Sequence, residues 1–180
     1  MMRPLLLFFI LCLSILAAGN VSAGPATEAE RVALDQLLGR YEGAVDRRDM
    51  AAVVNMMPPR VFTHMSAQSG MSVDQLKAMV VKLSGGVMDM IGESKFDHDA
   101  VVFKELSDGS RYALVPTTTI VKLKDGPTYR AKSHTLAVLE DGNWYLMRVN
   151  EPKQLIILHG AYPAFSNVEL PQGSMELLED

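Results

Sequence analysis

The period of the hydrophobic positions changes partway along the chain. Apolar residues recur at three- and four-residue steps to about residue 85 and alternate with polar residues from about residue 96 onward. A period of about 3.6 is typical of amphipathic helices, and a period of two is typical of strands with one buried face. We therefore predict N-terminal helices followed by an antiparallel sheet, which is an α+β fold.

Polar residues placed before the apolar segments predict where the first helices begin. Thr27 with Glu30 forms a capping box, in which each side chain bonds the other residue's backbone amide, so a first helix starts here. Asp49 is placed to cap a second, shorter helix. Pro58 and Pro59 end that helix, because proline lacks the amide donor and disfavours helical geometry in the residue before it.

The next segments predict a short strand and then a third helix. Residues 60–65 fit the strand, which would follow directly on the two prolines. Ser72 with Gln75 forms a second capping box before a further apolar face. We expect the third helix to end at Gly85 and Gly86, because glycine is a poor helix former and is common just after helix ends.

Three Asp-Gly pairs divide the second half of the chain into segments rich in β-branched and aromatic residues. Asp-Gly is a favoured pair in tight hairpin turns, so this spacing predicts an antiparallel meander. The strands exceed the usual five or six residues, which indicates a strongly curved sheet, with Pro116 at a bulge or an edge position. The pairs are Asp108-Gly109, Asp125-Gly126 and Asp141-Gly142, and the predicted strands cover residues 96–106, 111–123, 128–140 and 144–150.

The C-terminal segment allows two interpretations. Pro152 can begin a short helix that Gly160 ends, while the apolar residues 155–158 fit one more strand equally well. From Ala161 onward we expect an extended arm.

Two motifs in this arrangement resemble those of a known superfamily. The sequence AVDRRDMAAVV (residues 44–54), followed by RVF (residues 60–62), resembles the usual beginning of the nuclear transport factor 2-like superfamily: a helix, an Asp-containing turn, a short helix and the first strand. DGNWYL (residues 141–146) resembles its final hairpin, in which Gly-x-Trp opens the last long strand. Over about residues 28–150 the chain is similar to this superfamily, also called SnoaL-like or cystatin-like.

The resemblance implies N-terminal helices packed on a strongly curved antiparallel sheet, with a cone-shaped apolar cavity between them. Members of the superfamily include ketosteroid isomerases, SnoaL-like cyclases, lipid carriers and protein-binding modules that form dimers through the sheet, and the fold alone does not choose among them. The residues that we expect to line the cavity are Tyr41, Met57, Phe62, Thr118, His134 and Trp144.

Candidate catalytic residues follow from comparison with the isomerases, which combine a tyrosine on the first helix with two acids. Tyr41 matches the tyrosine, but the interior positions of the predicted strands carry threonines, Ser133 and His134 and no acid pair. His64 and His134 are therefore the candidate bases near neutral pH. The alternative is that each histidine is structural or lies on the surface.

A third histidine stands in the sequence Asp97-His98-Asp99, which contains both an acid and a base. Neighbouring residues of a strand point to opposite faces, so only the two aspartates would share a side. We therefore expect this segment to be the solvated start of a strand.

The chain has twelve methionines, of which only Met1 and Met2 precede residue 24. Thioether and imidazole groups are ligands of Cu(I), and His64 stands beside Met65. Several methionines instead fit helical core positions, and flexible methionine side chains commonly line apolar pockets. We therefore expect methionines in a ligand pocket, and neither a metal nor a cofactor.

Charge and motif content argue against several functional classes. The net charge is −4 at pH 7, and no basic run could follow phosphates, so nucleic acid is not an expected partner. Cys12 is the only cysteine and lies in the N-terminal apolar run, which leaves none for catalysis or metal binding in the folded domain. The sequence has no nucleophile elbow, phosphate loop, dinucleotide-binding glycine pattern or zinc-protease motif.

The N-terminus has the composition of a secretory signal peptide. Arg3 precedes an apolar run over residues 5–18, and small residues precede Gly24 where a signal peptidase would cleave. The run is shorter than the roughly 20 residues of a membrane-spanning helix, so we expect cleavage, no permanent membrane anchor, and a periplasmic or secreted protein. The expected organisation is a signal peptide (residues 1–23), a nuclear transport factor 2-like domain (24–150) and a C-terminal extension (151–180).

Together these observations favour an exported, non-catalytic binding module. Its cone would hold a small apolar molecule, or the sheet and residues 151–180 would contact a protein partner, with a homodimer as one such assembly. The alternative is a small acid–base enzyme of the SnoaL or ketosteroid isomerase type, which would use Tyr41 with His64 or His134.

Overall fold

The computed structural model of the protein describes residues 26–124, 126–149 and 151–178, so the predicted signal peptide lies outside the described residues. Helices pack on a curled, antiparallel six-stranded half-barrel, which confirms the predicted fold class. The helices are α1 (Glu28–Asp46), α2 (Met50–Asn55), α3 (Pro59–Ser69), α4 (Val73–Met88) and α5 (Pro152–Ala161), followed by a 3-10 helix at Pro163–Asn167. The strands are β1 (Ile91–Phe96), β2 (Val102–Glu105), β3 (Arg111–Lys122), β4 (Thr128–Glu140), β5 (Asn143–Arg148) and β6 (Ser174–Leu178).

The predicted helix starts are confirmed by their capping contacts. Thr27 and Glu30 form the capping box that begins α1, with both reciprocal hydrogen bonds present. The Asp49 side chain accepts a hydrogen bond from the Ala52 amide at 3.0 Å and begins α2.

The strand predicted at residues 60–65 is wrong, because these residues belong to helix α3. Pro58 is extended, and Pro59 occupies the first turn of the helix, where its fixed φ fits and its missing N–H leaves no helical bond unmade. Val61 and Phe62 are both buried, Phe62 completely, so the helix presents an apolar face to the core. Two prolines thus end α2 and also begin α3.

Helix α4 begins at the predicted capping box of Ser72 and Gln75 but extends further than predicted. Gly85 and Gly86 lie inside the helix, which continues to Met88. Met88 is buried against apolar residues of α1 and α2. Burying this side chain contributes about 1.5–3 kcal/mol, which offsets much of the roughly 1 kcal/mol that each glycine costs a helix.

The meander of β3, β4 and β5 is confirmed, whereas the strand predicted over residues 96–106 is two strands. Both β1 and β2 pair with β3, and residues 97–101 connect them. Asp141 and Gly142 have positive φ, as a tight hairpin between β4 and β5 requires. Asp125, from the second predicted turn, lies outside the described residues.

Pro116 lies in β3 where the partner strand changes. Pairing with β2 ends at Leu114 and pairing with β1 begins at Thr117. The Pro116 carbonyl faces this gap and accepts a hydrogen bond from the Asp97 amide at 2.9 Å. The N–H that proline lacks would point to the same gap between β1 and β2, so no hydrogen bond to β4 is lost. Pro116 therefore has the edge-like position that we predicted.

The C-terminal segment is a helix followed by an arm that returns to the sheet. Helix α5 passes through Gly160, so the helical interpretation is the right one, although Gly160 does not end the helix. After the 3-10 helix, β6 pairs antiparallel with the first part of β4. The residues assigned to a C-terminal extension therefore pack against the same sheet.

The sheet has an apolar cluster on each face. On the face that we call the α1 face, Leu34, Leu37 and Leu38 of α1 pack against alternate residues of the strands. On the other, the α5 face, the intervening residues pack against α5 and the 3-10 helix, chiefly Leu158 and Phe165. Strand register thus decides which side chains can share a site.

Candidate functional site

A cavity of 230 Å³ lies beside β5, between that strand and the helices α1, α2 and α4. Most of its wall is apolar, and Met50 and Met57 contribute flexible side chains, which adapt to different ligand shapes. The residues that line it are Tyr41, Met50, Val53, Val54, Met57, Val80, Ser84, Thr135, Leu146, Met147, Arg148 and Gln154.

Arg148 is the cation in this wall, and it is held by hydroxyl groups. Its Nη2 donates to Ser94 Oγ at 2.8 Å and to Thr119 Oγ1 at 3.0 Å. Ser94 and Thr119 lie on the neighbouring strands β1 and β3, and both are buried. Their hydroxyls orient the guanidinium without neutralising its charge.

The charge of Arg148 has no protein counterion in the part of the chain that the structure describes. No carboxylate there lies within 4.0 Å of the guanidinium, and its Nε is buried without a hydrogen-bond partner. A buried polar group without a partner is uncommon, because it loses its hydrogen bonds to water and gains none in return.

A second polar pair lies next to Arg148 on the same face. The Thr117 and Thr135 hydroxyls are 2.9 Å apart, and Thr117 Oγ1 also donates to the Val115 carbonyl at 2.9 Å. Both threonines are almost completely buried, and Thr135 pairs with Arg148 across β4 and β5. The α1 face is therefore polar along the cavity and apolar where α1 covers it.

The structure brings together two of the six residues that we expected to line a pocket. Tyr41 and Met57 line the cavity. Phe62 instead fills a core cluster with Val54 and Leu76. Trp144 is at the opposite end of β5 from Arg148, where its indole N–H donates to the Glu30 carbonyl.

The remaining two residues, Thr118 and His134, alternate with cavity-face threonines and therefore point to the other side of the sheet. Prediction from sequence could not assign the face, because a register shift of one residue exchanges the two sides. The residues that sequence analysis missed, Arg148 and Ser94, are of types that occur anywhere on a surface, and only strand pairing places them together.

The three candidate catalytic residues are not assembled into one site. Tyr41 is in the cavity, whereas His134 lies on the α5 side of β4 with its Nδ1 buried and unpartnered among the described residues. His64 is on α3, and its ring lies against Gly160 of α5, so close that a β-carbon at Gly160 would be 2.2 Å from His64 Nε2. The Tyr41–histidine arrangement that an acid–base site needs is therefore not formed.

His98 takes part in a contact that the sequence analysis did not predict. It lies in the connection between β1 and β2, not at the start of a strand, and its Nδ1 is 2.6 Å from Asp35 Oδ1. Its Nε2 is 3.5 Å from Glu42 Oε2. The hydrogen bond to Asp35, supported by Glu42, raises the pKa of His98 above its ordinary value of 6.5.

His98 and Asp35 also line a shallow groove of 430 Å³ along the outer side of α1, with Phe103 at its wall. Asp35 and Glu42 are seven residues apart and so lie on one side of α1, a spacing visible in the sequence. The approach of His98 to them depends on the break between β1 and β2, which the sequence pattern did not show.

Two further properties concern the described residues as a whole. No group of three or more histidine, cysteine, aspartate or glutamate side chains is arranged there to hold a metal ion. None of the helices in the described ranges combines the length and hydropathy needed to cross a bilayer.

Comparison with known proteins yields no significant match, whether to a protein family, to a curated protein or to a solved structure. The architecture of the protein is therefore known from its own fold alone, which is an α+β half-barrel with cone-like curvature.

Proposed function

We propose that the protein is a non-catalytic binding module that holds a small, mostly apolar ligand in the cavity beside β5. The observation that carries this proposal is the wall of the cavity, which is built from valine, leucine and methionine side chains with a few polar groups at one side. Such a combination is typical of small-molecule sites, in which apolar surface supplies affinity and a few polar groups orient the ligand. The resemblance to nuclear transport factor 2-like proteins supports the same location.

The composition of the cavity favours binding over acid–base catalysis. Among the described residues of its lining there is no aspartate, glutamate or histidine, the residues that most often transfer protons near neutral pH. Tyr41 lines the cavity together with Arg148.

A protein-binding role for the C-terminal arm is less well supported by the contacts of the arm. Residues 174–178 pair with β4 of their own chain, and Tyr162 and Phe165 fill the core. A truncation after residue 150 would therefore remove core side chains, and loss of a partner would follow from unfolding alone.

The proposal also includes export, because residues 1–23 have the composition of a secretory signal. Fractionation of the host cells, followed by Edman sequencing of the protein, tests this part. We expect the protein outside the cytoplasm with an N-terminus at Gly24, and protein that stays in the cytoplasm with residues 1–23 intact would contradict export.

The ligand site is tested by filling the cavity. Val80 is half-buried on α4 and lines the cavity, so phenylalanine at this position would occupy the space. Ala78 is exposed on the same helix and does not line the cavity, which makes Ala78→Phe a matched control. Native mass spectrometry of protein from its own host, together with NMR titration using hexanol, measures ligand occupancy.

We expect the unmodified protein and the Ala78→Phe variant to carry a small molecule or to bind hexanol, and Val80→Phe to do neither. Circular dichroism and the midpoint of thermal unfolding establish that each variant is folded. Equal binding by all three proteins, or binding by none, would contradict a ligand site at this cavity.

A further inference from the structure

We propose that the ligand of this cavity carries a carboxylate on a short apolar body, and that Arg148 holds the carboxylate. This inference rests on the proposed function, since it names the class of ligand for the same cavity. Its starting point is the contrast between the apolar wall and one cation that has no counterion among the described residues.

The charge distribution selects an anion. Among the described residues of the lining, Arg148 is the charged one, and none is an aspartate or a glutamate. A guanidinium keeps its charge at any physiological pH. Ser94 and Thr119 supply dipoles but no negative charge. Because Arg148 is half-buried, a ligand anion beside it would be screened less by water than on an open surface.

The hydrogen bonds of Arg148 leave its other terminal nitrogen for a ligand. The two hydroxyls take the N–H groups of Nη2 and hold the planar group in place, and Nε is buried, so Nη1 is the nitrogen through which a ligand would be bound. A hydrogen bond from a charged guanidinium N–H to a carboxylate is shorter and stronger than one between neutral groups. The orienting hydroxyls reduce the side-chain entropy that Arg148 would lose when a ligand binds.

The size of the cavity limits the apolar body. A volume of 230 Å³ lies below the roughly 300–1,000 Å³ of typical small-molecule pockets. It therefore accommodates a short alkyl or a single aromatic acid and not a sterol or a full-length fatty acid. Met50 and Met57 in the wall allow the shape of that body to vary.

The test compares three probes that share one alkyl chain and differ in the head group: hexanoate, hexanol and hexylamine. Each is titrated by NMR into the unmodified protein and into Arg148→Gln, Arg148→Lys and Arg40→Gln variants. Arg40 is exposed on α1 and is not part of the cavity wall, so its variant controls for loss of one positive charge.

For the unmodified protein we expect hexanoate to bind at least about tenfold more tightly than hexanol, and hexylamine to bind most weakly, with shifts centred on Tyr41 and Met57. Arg148→Gln should remove the advantage of hexanoate and leave hexanol binding in place. Arg148→Lys should keep part of the advantage, because it retains the charge but lacks the planar group that the Ser94 and Thr119 hydroxyls orient. Arg40→Gln should behave as the unmodified protein.

Equal affinity for hexanoate and hexanol in the unmodified protein would overturn the carboxylate inference and leave the cavity as an apolar binding site. Binding of no probe at the cavity would instead overturn the proposed function itself. Because the first comparison uses the unmodified protein, it remains decisive even if Arg148→Gln does not fold.

Discussion

The two faces of the sheet are built from alternate residues of the same strands but are completed in different ways. On the α5 face the Tyr112, Phe165 and Tyr162 rings pack edge to face, and Leu158 is completely buried behind them. On the α1 face, the end of the sheet near Arg148 carries hydroxyls in place of hydrocarbon, and a cavity remains.

This difference indicates where the protein uses packing for stability and where it leaves space for binding. A continuous apolar cluster contributes stability in proportion to its buried area. Buried threonines, and an arginine without a counterion among the described residues, contribute less to stability than the same area of apolar packing. Residues that break the rules of core packing are often found at functional sites. Mutations on the two faces should therefore differ in their consequences.

The largest effect is expected on the α5 face, for Phe165→Ala. Removing this completely enclosed ring should lower the free energy of unfolding by about 3–5 kcal/mol, because a cavity replaces its contacts with both tyrosines. Phe103→Ala is the matched control, since Phe103 is half-buried on the other side of the sheet. Urea denaturation measures both, and an equal loss in the two variants would contradict the contrast between the faces.

A smaller loss of free energy of unfolding is expected for Gly160→Ala. This change tests how tightly the side chains on the α5 face are packed. The added methyl group would meet the His64 ring, so we expect a loss of about 1–3 kcal/mol from overpacking. In a His64→Ala background the same change should instead stabilise α5 by up to about 1 kcal/mol, the helix propensity of alanine over glycine. Unfolding of the unmodified protein, the two single variants and the double variant completes a double-mutant cycle. If the two effects simply add, the His64 ring does not restrict residue 160.

On the α1 face, Thr117→Val should lower the free energy of unfolding by about 1 kcal/mol, because the buried Thr135 hydroxyl and the Val115 carbonyl lose a partner. The double variant Thr117→Val, Thr135→Val should lose less than the sum of the single variants, since no unpaired hydroxyl remains between them. Chemical denaturation checks this prediction. Strict additivity would mean that the two hydroxyls act independently.

The smallest effect concerns His98 at the rim of the α1 face, and it depends on pH. The hydrogen bond to Asp35 raises the pKa of His98 in the folded protein above 6.5. The protonated ring therefore stabilises the fold at acidic pH. This contribution disappears as the pH rises through the folded-state pKa. The side chain is one-third exposed, so the contribution should stay below about 1 kcal/mol.

His98→Asn and Asp35→Asn should both remove this pH dependence. Comparison of unfolding at about pH 5 and about pH 8 measures it, over the range in which histidine titrates. A difference between the unmodified protein and His98→Asn that grows toward alkaline pH would contradict the assigned direction.

The amino-acid sequence by itself determined the local features of this fold. Capping boxes, the Asp49 cap and the Asp141-Gly142 hairpin could be predicted because each depends on neighbouring residues whose chemistry acts over one turn. The α+β class followed from the change in hydrophobic period. Tyr41 and Met57, two of the residues predicted to line a ligand pocket, lie in the wall of the cavity beside β5.

The tertiary structure alone decided which residues meet. Residues 60–65 form part of helix α3 and not the predicted strand, with Pro59 in its first turn and Phe62 completely buried against other helices. Thr118 and His134 face away from the cavity, while Ser94, Thr119 and Arg148 converge there from three different strands. Strand register sets both outcomes, and register depends on long-range pairing that no local pattern in the sequence records.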